Sequence, residues 1–256
     1  MKAVILAGGL GSRLAEETAT RPKPMVEVGE RPILWHIMKL YSHYGVNDFV
    51  VCLGYKGEFI KSYFANFNLH NADVSFDLQK NTIEYHESRV EPWRVTLVDT
   101  GQSTMTGGRL MAVRDYLGSE DFCFTYGDGV GDVDIAQLIA FHRAHRLPAT
   151  VTVARPPGRF GEVHVSGRQV TGFAEKRDNV GSWVNAGFFV LSPKVIDRIA
   201  GPDTSWELEP VHQLVADGQL AAYTHTGFWQ PMDTVRDRNY LNELWASGQA
   251  PWKVWS

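Results

Sequence analysis

The chain opens MKAVILAGGLGSRL (1–14), and this stretch decides the fold. Ala3–Ala7 is an unbroken apolar run, the pattern of a buried strand. It stops at Gly8-Gly9, far short of the ~18 apolar residues of a membrane span and without the cleavage-like site of a secretory leader. LAGGLGSRL (6–14) then supplies three glycines, one arginine and no acid. Backbone N–H groups reach a phosphate closely only where glycines leave room, and a cation must balance the charge. A buried strand running into such a loop suits an α/β sheet that binds phosphate at its strand ends, the alternative being an ordinary strand-to-helix turn with a solvated arginine.

Working outward, β-type runs recur at Phe49–Leu53, Val95–Asp99, Phe122–Tyr126, Thr150–Ala154 and Trp183–Leu191, alternating with helical patterns. Ile33–Tyr44 reads as a helix with Pro32 near its start and Gly45 as its stop. Leu110–Leu117 repeats that logic before Gly118. In Asp134–His145, Ile135, Leu138, Ile139 and His142 share one helical face. Residues 155–182 lose the alternation and gather glycine, proline and short β runs, as an antiparallel excursion laid over the sheet would. The expected fold is α/β: a Rossmann-like mixed or parallel sheet sandwiched by helices, with a β-rich insertion, in one domain spanning 1–256.

Composition narrows the function. The 256 residues carry 29 acids against 25 bases, a formal net charge of −4, which argues against a nucleic-acid partner. Charged residues at 21% and scattered prolines exclude disorder and coiled coil. Cys52 and Cys123 lie in FVVCLGY (49–55) and DFCFTYGDG (121–129), contexts that fit buried free thiols and a cytoplasmic location with no membrane partner. None of the nine histidines has zinc spacing, and His142 falls on the apolar face of its helix. The terminal APWKVW (250–255) is expected to pack against a partner subunit in a homo-oligomer.

The candidate chemistry lies in phosphate ligands and carboxylates. Arg13 offers a bidentate fork, and Lys23, held between Pro22 and Pro24 in RPKPM (21–25), suits a triphosphate or a departing pyrophosphate. Gly11-Ser12-Arg13 is not the Gly-Lys-Ser/Thr of a P-loop, and Leu14 stands where a dinucleotide fingerprint wants glycine or alanine. Asp128 follows an apolar strand between Gly127 and Gly129, and Asp233 lies in WQPMDT (229–234). Two carboxylates from distant segments, meeting nucleotide phosphates, are how Mg²⁺ is usually held. Each also has a structural alternative: an Asp-Gly turn for Asp128, and for Asp233 a helix start, since Thr234 and Asp237 have capping-box spacing. Asp132-Val133-Asp134 fits the start of the helix from Ile135 better than a glycosyltransferase Asp-x-Asp.

GGLGSRL followed by RPKPM resembles the opening signature of the sugar-1-phosphate nucleotidylyltransferases. The similarity runs on through ILWHIMKLY (33–41), VEPWRVTLVDTG (90–101), MTGGRL (105–110), YGDG (126–129), PPGRFG (156–161), FAEK (173–176), NAGFFVL (185–191) and WQPMDT (229–234). The resemblance implies the nucleotide-diphospho-sugar transferase fold, with a nucleotide-binding part over about 1–150, a sugar-binding part over about 151–234, and a terminal helix and tail over 235–256. It implies a nucleotide site of Leu6, Ala7, Gly8, Gly9, Leu10, Gly11, Ser12, Arg13, Lys23, Thr104, Arg109 and Gly127. Asp128 and Asp233 become the Mg²⁺ ligands. Glu175, Lys176, Asn185 and Gly187 become the sugar-phosphate site, and Arg13, Lys23, Asp128 and Lys176 the catalytic set. Family members place proline after that lysine, where this chain has Arg177.

MTGGRL together with WQPMDT points to the cytidylyl-transferring branch, hence to CTP and glucose 1-phosphate. Read as the loop that follows Val95–Asp99, MTGGRL would bring Arg109 to the base. A donor-only guanidinium aimed at O2 or N3 of cytosine would disfavour uracil. The alternatives are a relative using dTTP or UTP, a metal-dependent glycosyltransferase, or a non-catalytic nucleotide sensor.

Overall fold

The computed structural model describes residues 1–88, 90–156, 162–166, 169–174 and 183–255. Each apolar run becomes a strand of one seven-stranded sheet. Numbered along the chain these are β1 Lys2–Ala7, β2 Asp48–Leu53, β3 Arg94–Asp99, β4 Phe122–Tyr126, β5 Ala149–Ala154, β6 Val184–Leu191 and β7 Leu220–Thr224. Their spatial order is β7-β5-β6-β4-β1-β2-β3. β1 pairs in parallel with β2 and β4, β2 with β3, and β5 with β7, whereas β6 runs antiparallel to both β4 and β5. The sheet is therefore mixed.

Successive side chains of a strand point to opposite faces, so β1 feeds two cores. Ala3, Ile5 and Ala7 join Ile33, Ile37, Met38 and Tyr41 of the helix Ile33–His43. Val4 and Leu6 join Leu110, Val113 and Trp206 on the other side. Both layers are covered, which is why the run has no polar position. Cys52 and Cys123 are buried and free, one on each strand beside β1, and burial pushes both thiols up to about 12. His142 is buried and bonded to the Thr150 hydroxyl through Nδ1 at 2.8 Å.

Register aligns the strand ends. Ala7 lies beside Leu53 and Leu53 beside Asp99, while Leu6 lies beside Tyr126. The loops after β1, β2, β3 and β4 thus leave the sheet at one edge, the place where α/β folds bind ligands.

Two expectations are corrected. The helix expected from Leu110 begins at Thr106 and ends at Ala112, so MTGGRL is its first turns and not a loop. Two glycines would ordinarily weaken a helix by about 1 kcal/mol each. Here they admit the segment 201–206: the Gly108 N–H donates to the Thr204 carbonyl at 3.1 Å, and a Cβ on Gly108 would stand 2.2 Å from the Pro202 oxygen. The second correction is the tail. Trp252 and Trp255 are buried in this chain's own core, where their rings contact His36 edge-on or tilted, Trp252 stacks on Trp245 and Trp255 meets Trp35 edge-on. An indole hides most of its area against the nearest aromatic surface, and the helices Ile33–His43 and Val235–Ala246 supply it.

The antiparallel excursion is present as Glu162–Ser166 paired with Gln169–Ala174. A second hairpin, Ala72–Asp77 with Thr82–Ser88, projects with Phe76, Leu78 and Ile83 exposed. Among the described residues no helix is long and apolar enough to cross a membrane.

Candidate active site

At the aligned strand ends lies a cavity of 420 Å³. The loop after β1 forms one wall. Gly11 sits at φ +63°, the left-handed region that costs other residues about 1–2 kcal/mol, and a short 3-10 turn, Ser12–Leu14, follows it. The Thr18 hydroxyl donates to the carbonyls of Gly11 and Leu14, both at 3.1 Å, and closes the loop on itself. Leu6–Gly9, Gly11, Ser12, Arg13, Lys23, Thr104, Arg109, Gly127, Asp128 and Asp233 all line this cavity. Leu10 instead points outward, 58% exposed.

The charged centre is a three-residue junction. Lys23 Nζ donates to Asp128 Oδ2 at 2.7 Å and to Asp233 Oδ1 at 2.8 Å. Burial alone would lower the Lys23 pKa, but the adjoining Asp128 and Asp233 carboxylates overcome it and hold the value above the ordinary one. Arg13 reaches Asp233 Oδ2 at 3.2 Å, and at 77% exposure this contact is weak. The capping box is real, yet it belongs to Thr234 and Asp237. Asp233 gives that box only its backbone N–H, at 3.1 Å to Asp237 Oδ2, so its carboxylate is directed into the junction. Likewise Asp134 caps the helix Ile135–His145, accepting from the Gln137 N–H at 2.9 Å.

Asp128 and Asp233 also border a second cavity of 260 Å³, together with Arg13, Tyr126, Asn185 and Gly187. Two compartments therefore share one carboxylate wall. Glu175 and Lys176 lie outside the described residues. The Asn185 amide is held on both sides: Oδ1 accepts from the Gly187 N–H at 2.8 Å and Nδ2 donates to the Tyr126 hydroxyl at 3.1 Å.

Arg109 is placed differently from the expectation. It is 4% exposed, and its terminal nitrogens donate to the carbonyls of Gly8, Leu53, Gly101 and Gln102 and to the Thr100 hydroxyl, at 2.8–3.2 Å. Those acceptors stand at the ends of β1, β2 and β3. The guanidinium ties three strand-end loops together, and its terminal N–H groups are already matched by loop oxygens. The cause is the helical state of MTGGRL, which sets Arg109 under the floor of the cavity.

Glu207, unsuspected from sequence, lines the first cavity and is bonded to Tyr126, which borders both. Its carboxylate accepts from the Thr106 hydroxyl and the Tyr126 phenol, both at 2.6 Å. Burial, and then the Glu207 carboxylate, push the Tyr126 pKa well above its usual range, so the phenol stays a donor. SWELEP (205–210) matches no phosphate or metal motif, and only the fold carries it 81 positions along the chain back to Tyr126.

Two oxygen-donor carboxylates converging on one cation fit a hard divalent ion, and the Lys23 ammonium marks where positive charge is favoured. Among the described residues no group of three or more His, Cys, Asp or Glu forms a metal site, so protein ligands beyond the pair are not at hand. A glycine-rich loop, a carboxylate pair at strand ends and two adjoining cavities suit a transferase that handles nucleotides. The chain belongs to the nucleotidyl transferase family, whose model matches residues 2–234, and the family generally uses a divalent metal. Within it, the chain is 58% identical to the glucose-1-phosphate cytidylyltransferases of Salmonella typhi and of Salmonella typhimurium (strain LT2), over 100% of both chains in each case. The crystal structure of HddC from Yersinia pseudotuberculosis shares the fold at a TM-score of 0.70, with 22% identity over 95% of this chain and 99% of that one.

Proposed function

We propose that the chain transfers the cytidylyl group of CTP to glucose 1-phosphate, giving CDP-glucose and pyrophosphate. The observation that carries the reaction class is the carboxylate wall of Asp128 and Asp233, shared by two cavities, one of them lined by the glycine-rich loop. The choice of CTP and glucose 1-phosphate follows from the 58% identical relatives.

An oxygen of the sugar phosphate attacks the α-phosphorus of CTP in line. The new P–O bond forms as the bridge to the β-phosphate breaks, and pyrophosphate carries away the electron pair. A phosphate monoester has its second pKa near ~6, so the nucleophile is already an anion at neutral pH and needs no general base. The site must align two anions that repel and neutralise their charge.

Lys23 supplies a fixed cation at the meeting point. The Asp128 and Asp233 carboxylates hold its pKa above the ordinary value, which favours the ammonium form. Arg13, largely exposed, is free to close on the departing pyrophosphate. Asp128 and Asp233 would hold Mg²⁺, which when bound supplies charge neutralisation on the phosphates. Asn185 and Gly187 would face the sugar, and Glu175 and Lys176 are proposed to complete that side.

Pyrophosphate release, measured over a panel of nucleoside triphosphates and sugar 1-phosphates, tests the assignment. CTP with glucose 1-phosphate is expected to give the highest kcat/KM. Preference for dTTP or UTP, or CTP binding without turnover, would overturn it.

A further inference from the structure

At the opposite edge of the sheet lies a cavity of 600 Å³ that the reaction does not use, within the ~300–1,000 Å³ typical of small-molecule sites. It opens where Asp121 enters β4, a full strand length, roughly 13 Å, from the loops at the other end. Its wall carries Arg143, Arg146, Lys194 and Arg198 against the single carboxylate of Asp121.

The cations come from different elements. Arg143 ends the helix Ile135–His145, and Arg146 caps it at φ +59°, a left-handed conformation that glycine would adopt more readily. Lys194 and Arg198 face them from the 3-10 helix Pro193–Arg198. Arg198 is paired with Asp217 at 2.7 Å. Arg143, Arg146 and Lys194 have no carboxylate within ion-pair distance among the described residues. A basic residue in the last turn of a helix merely complements its dipole, which accounts for Arg143. It does not account for two further cations facing it from another element. Gln219 and Ser192 add hydrogen-bonding groups to the same wall. Clefts lined by one sign of charge concentrate the opposite one.

We propose that this cavity is a second anion site, taking a small polyphosphate group, either free or borne by a nucleotide. Its three unmatched cations suit a diphosphate better than a single carboxylate.

The test is equilibrium dialysis of labelled pyrophosphate with the full chain at low ionic strength. Two pyrophosphates per chain are expected. Lys23→Ala should lose the one held at the catalytic cavity, and the double variant Arg143→Ala/Lys194→Ala should weaken the other by at least tenfold while retaining the first. Arg143 and Lys194 are exposed and Lys23 is partly buried, and thermal unfolding of each variant checks the fold. Unlabelled ADP that displaces the second pyrophosphate identifies a nucleotide-borne group; failure to displace it identifies the free anion. One pyrophosphate per chain, or a second one indifferent to Arg143→Ala/Lys194→Ala, would overturn the proposal.

Discussion

Lys23 and Asp128 are joined by a 2.7 Å ion pair that links the loop after β1 to the end of β4, and Asp233 closes on the same ammonium at 2.8 Å. Three residues from three distant segments thereby share one electrostatic centre, and the boundary between the two cavities runs through it.

Replacing either acid removes charge from that boundary. Asp128→Asn and Asp233→Asn should each cut kcat by at least ~10²-fold with the circular dichroism spectrum unchanged. Steady-state pyrophosphate release over a divalent-metal titration checks this, and chelation of divalent metal should silence the parent protein. Near-normal turnover of Asp233→Asn at limiting metal would reduce Asp233 to a neighbour of the Thr234–Asp237 cap.

Arg109 should act on binding without choosing the base. Arg109→Lys keeps the charge but cannot span acceptors on three loops, and it leaves buried carbonyls unpaired at ~1–3 kcal/mol for each such group. The expected result is a lower kcat/KM for CTP and for UTP alike, with their ratio unmoved and a lowered Tm. A ratio that narrows would return Arg109 to direct contact with the base.

Glu207→Gln weakens two charge-assisted hydrogen bonds, to Thr106 and to Tyr126. A loss of about 1.4 kcal/mol is tenfold, and kcat/KM should fall by about that factor. Because Tyr126 holds Asn185, KM for the sugar phosphate should rise more than KM for CTP. A drop in Tm with both KM values unchanged would make Glu207 a purely structural strut.

His36 predicts a pH dependence of stability. Its Nε2–H donates to the Val28 carbonyl at 2.7 Å, and Nδ1 accepts from the Trp252 indole at 3.3 Å, so the folded chain needs the neutral ring. Burial pushes its pKa down to about 4 from 6.5. Between those values the unfolded chain binds the extra proton, and stability falls as pH drops from 6.5 towards 4. At 1.36 kcal/mol per unit the loss is about 3 kcal/mol. Urea unfolding at pH 7.5 and pH 4.5 should show this slope in the parent and a shallower one in His36→Gln; equal slopes would count against it.

Much of the fold was legible along the chain because burial leaves a local mark. Ala3–Ala7 and Phe49–Leu53 are apolar throughout, and Phe122–Phe124 likewise, since both faces of their strands are covered, and helix stops such as Gly45 act within their own turn. That the glycine-rich loop, Lys23 and the two acids converge on one cavity was legible for a related reason: the chemistry proposed for them restricts residue type at each position. What escaped was whatever depends on a distant backbone. MTGGRL reads as the loop between Val95–Asp99 and a helix from Leu110, and only the crossing of Pro202–Thr204 makes its glycines an asset within a helix.

The sequence by itself determined the layered α/β sheet and the glycine-rich loop at its first strand end, and it singled out Asp128 and Asp233 as candidates, since hydrophobic periodicity and residue chemistry are properties of short segments. Tertiary structure alone decided that Arg109 braces three loops, that Glu207 joins Tyr126 to Thr106, and that the terminal tryptophans close over His36. Those outcomes rest on hydrogen-bond acceptors and apolar surfaces contributed by segments far apart in the chain, and no local pattern encodes where such partners will meet.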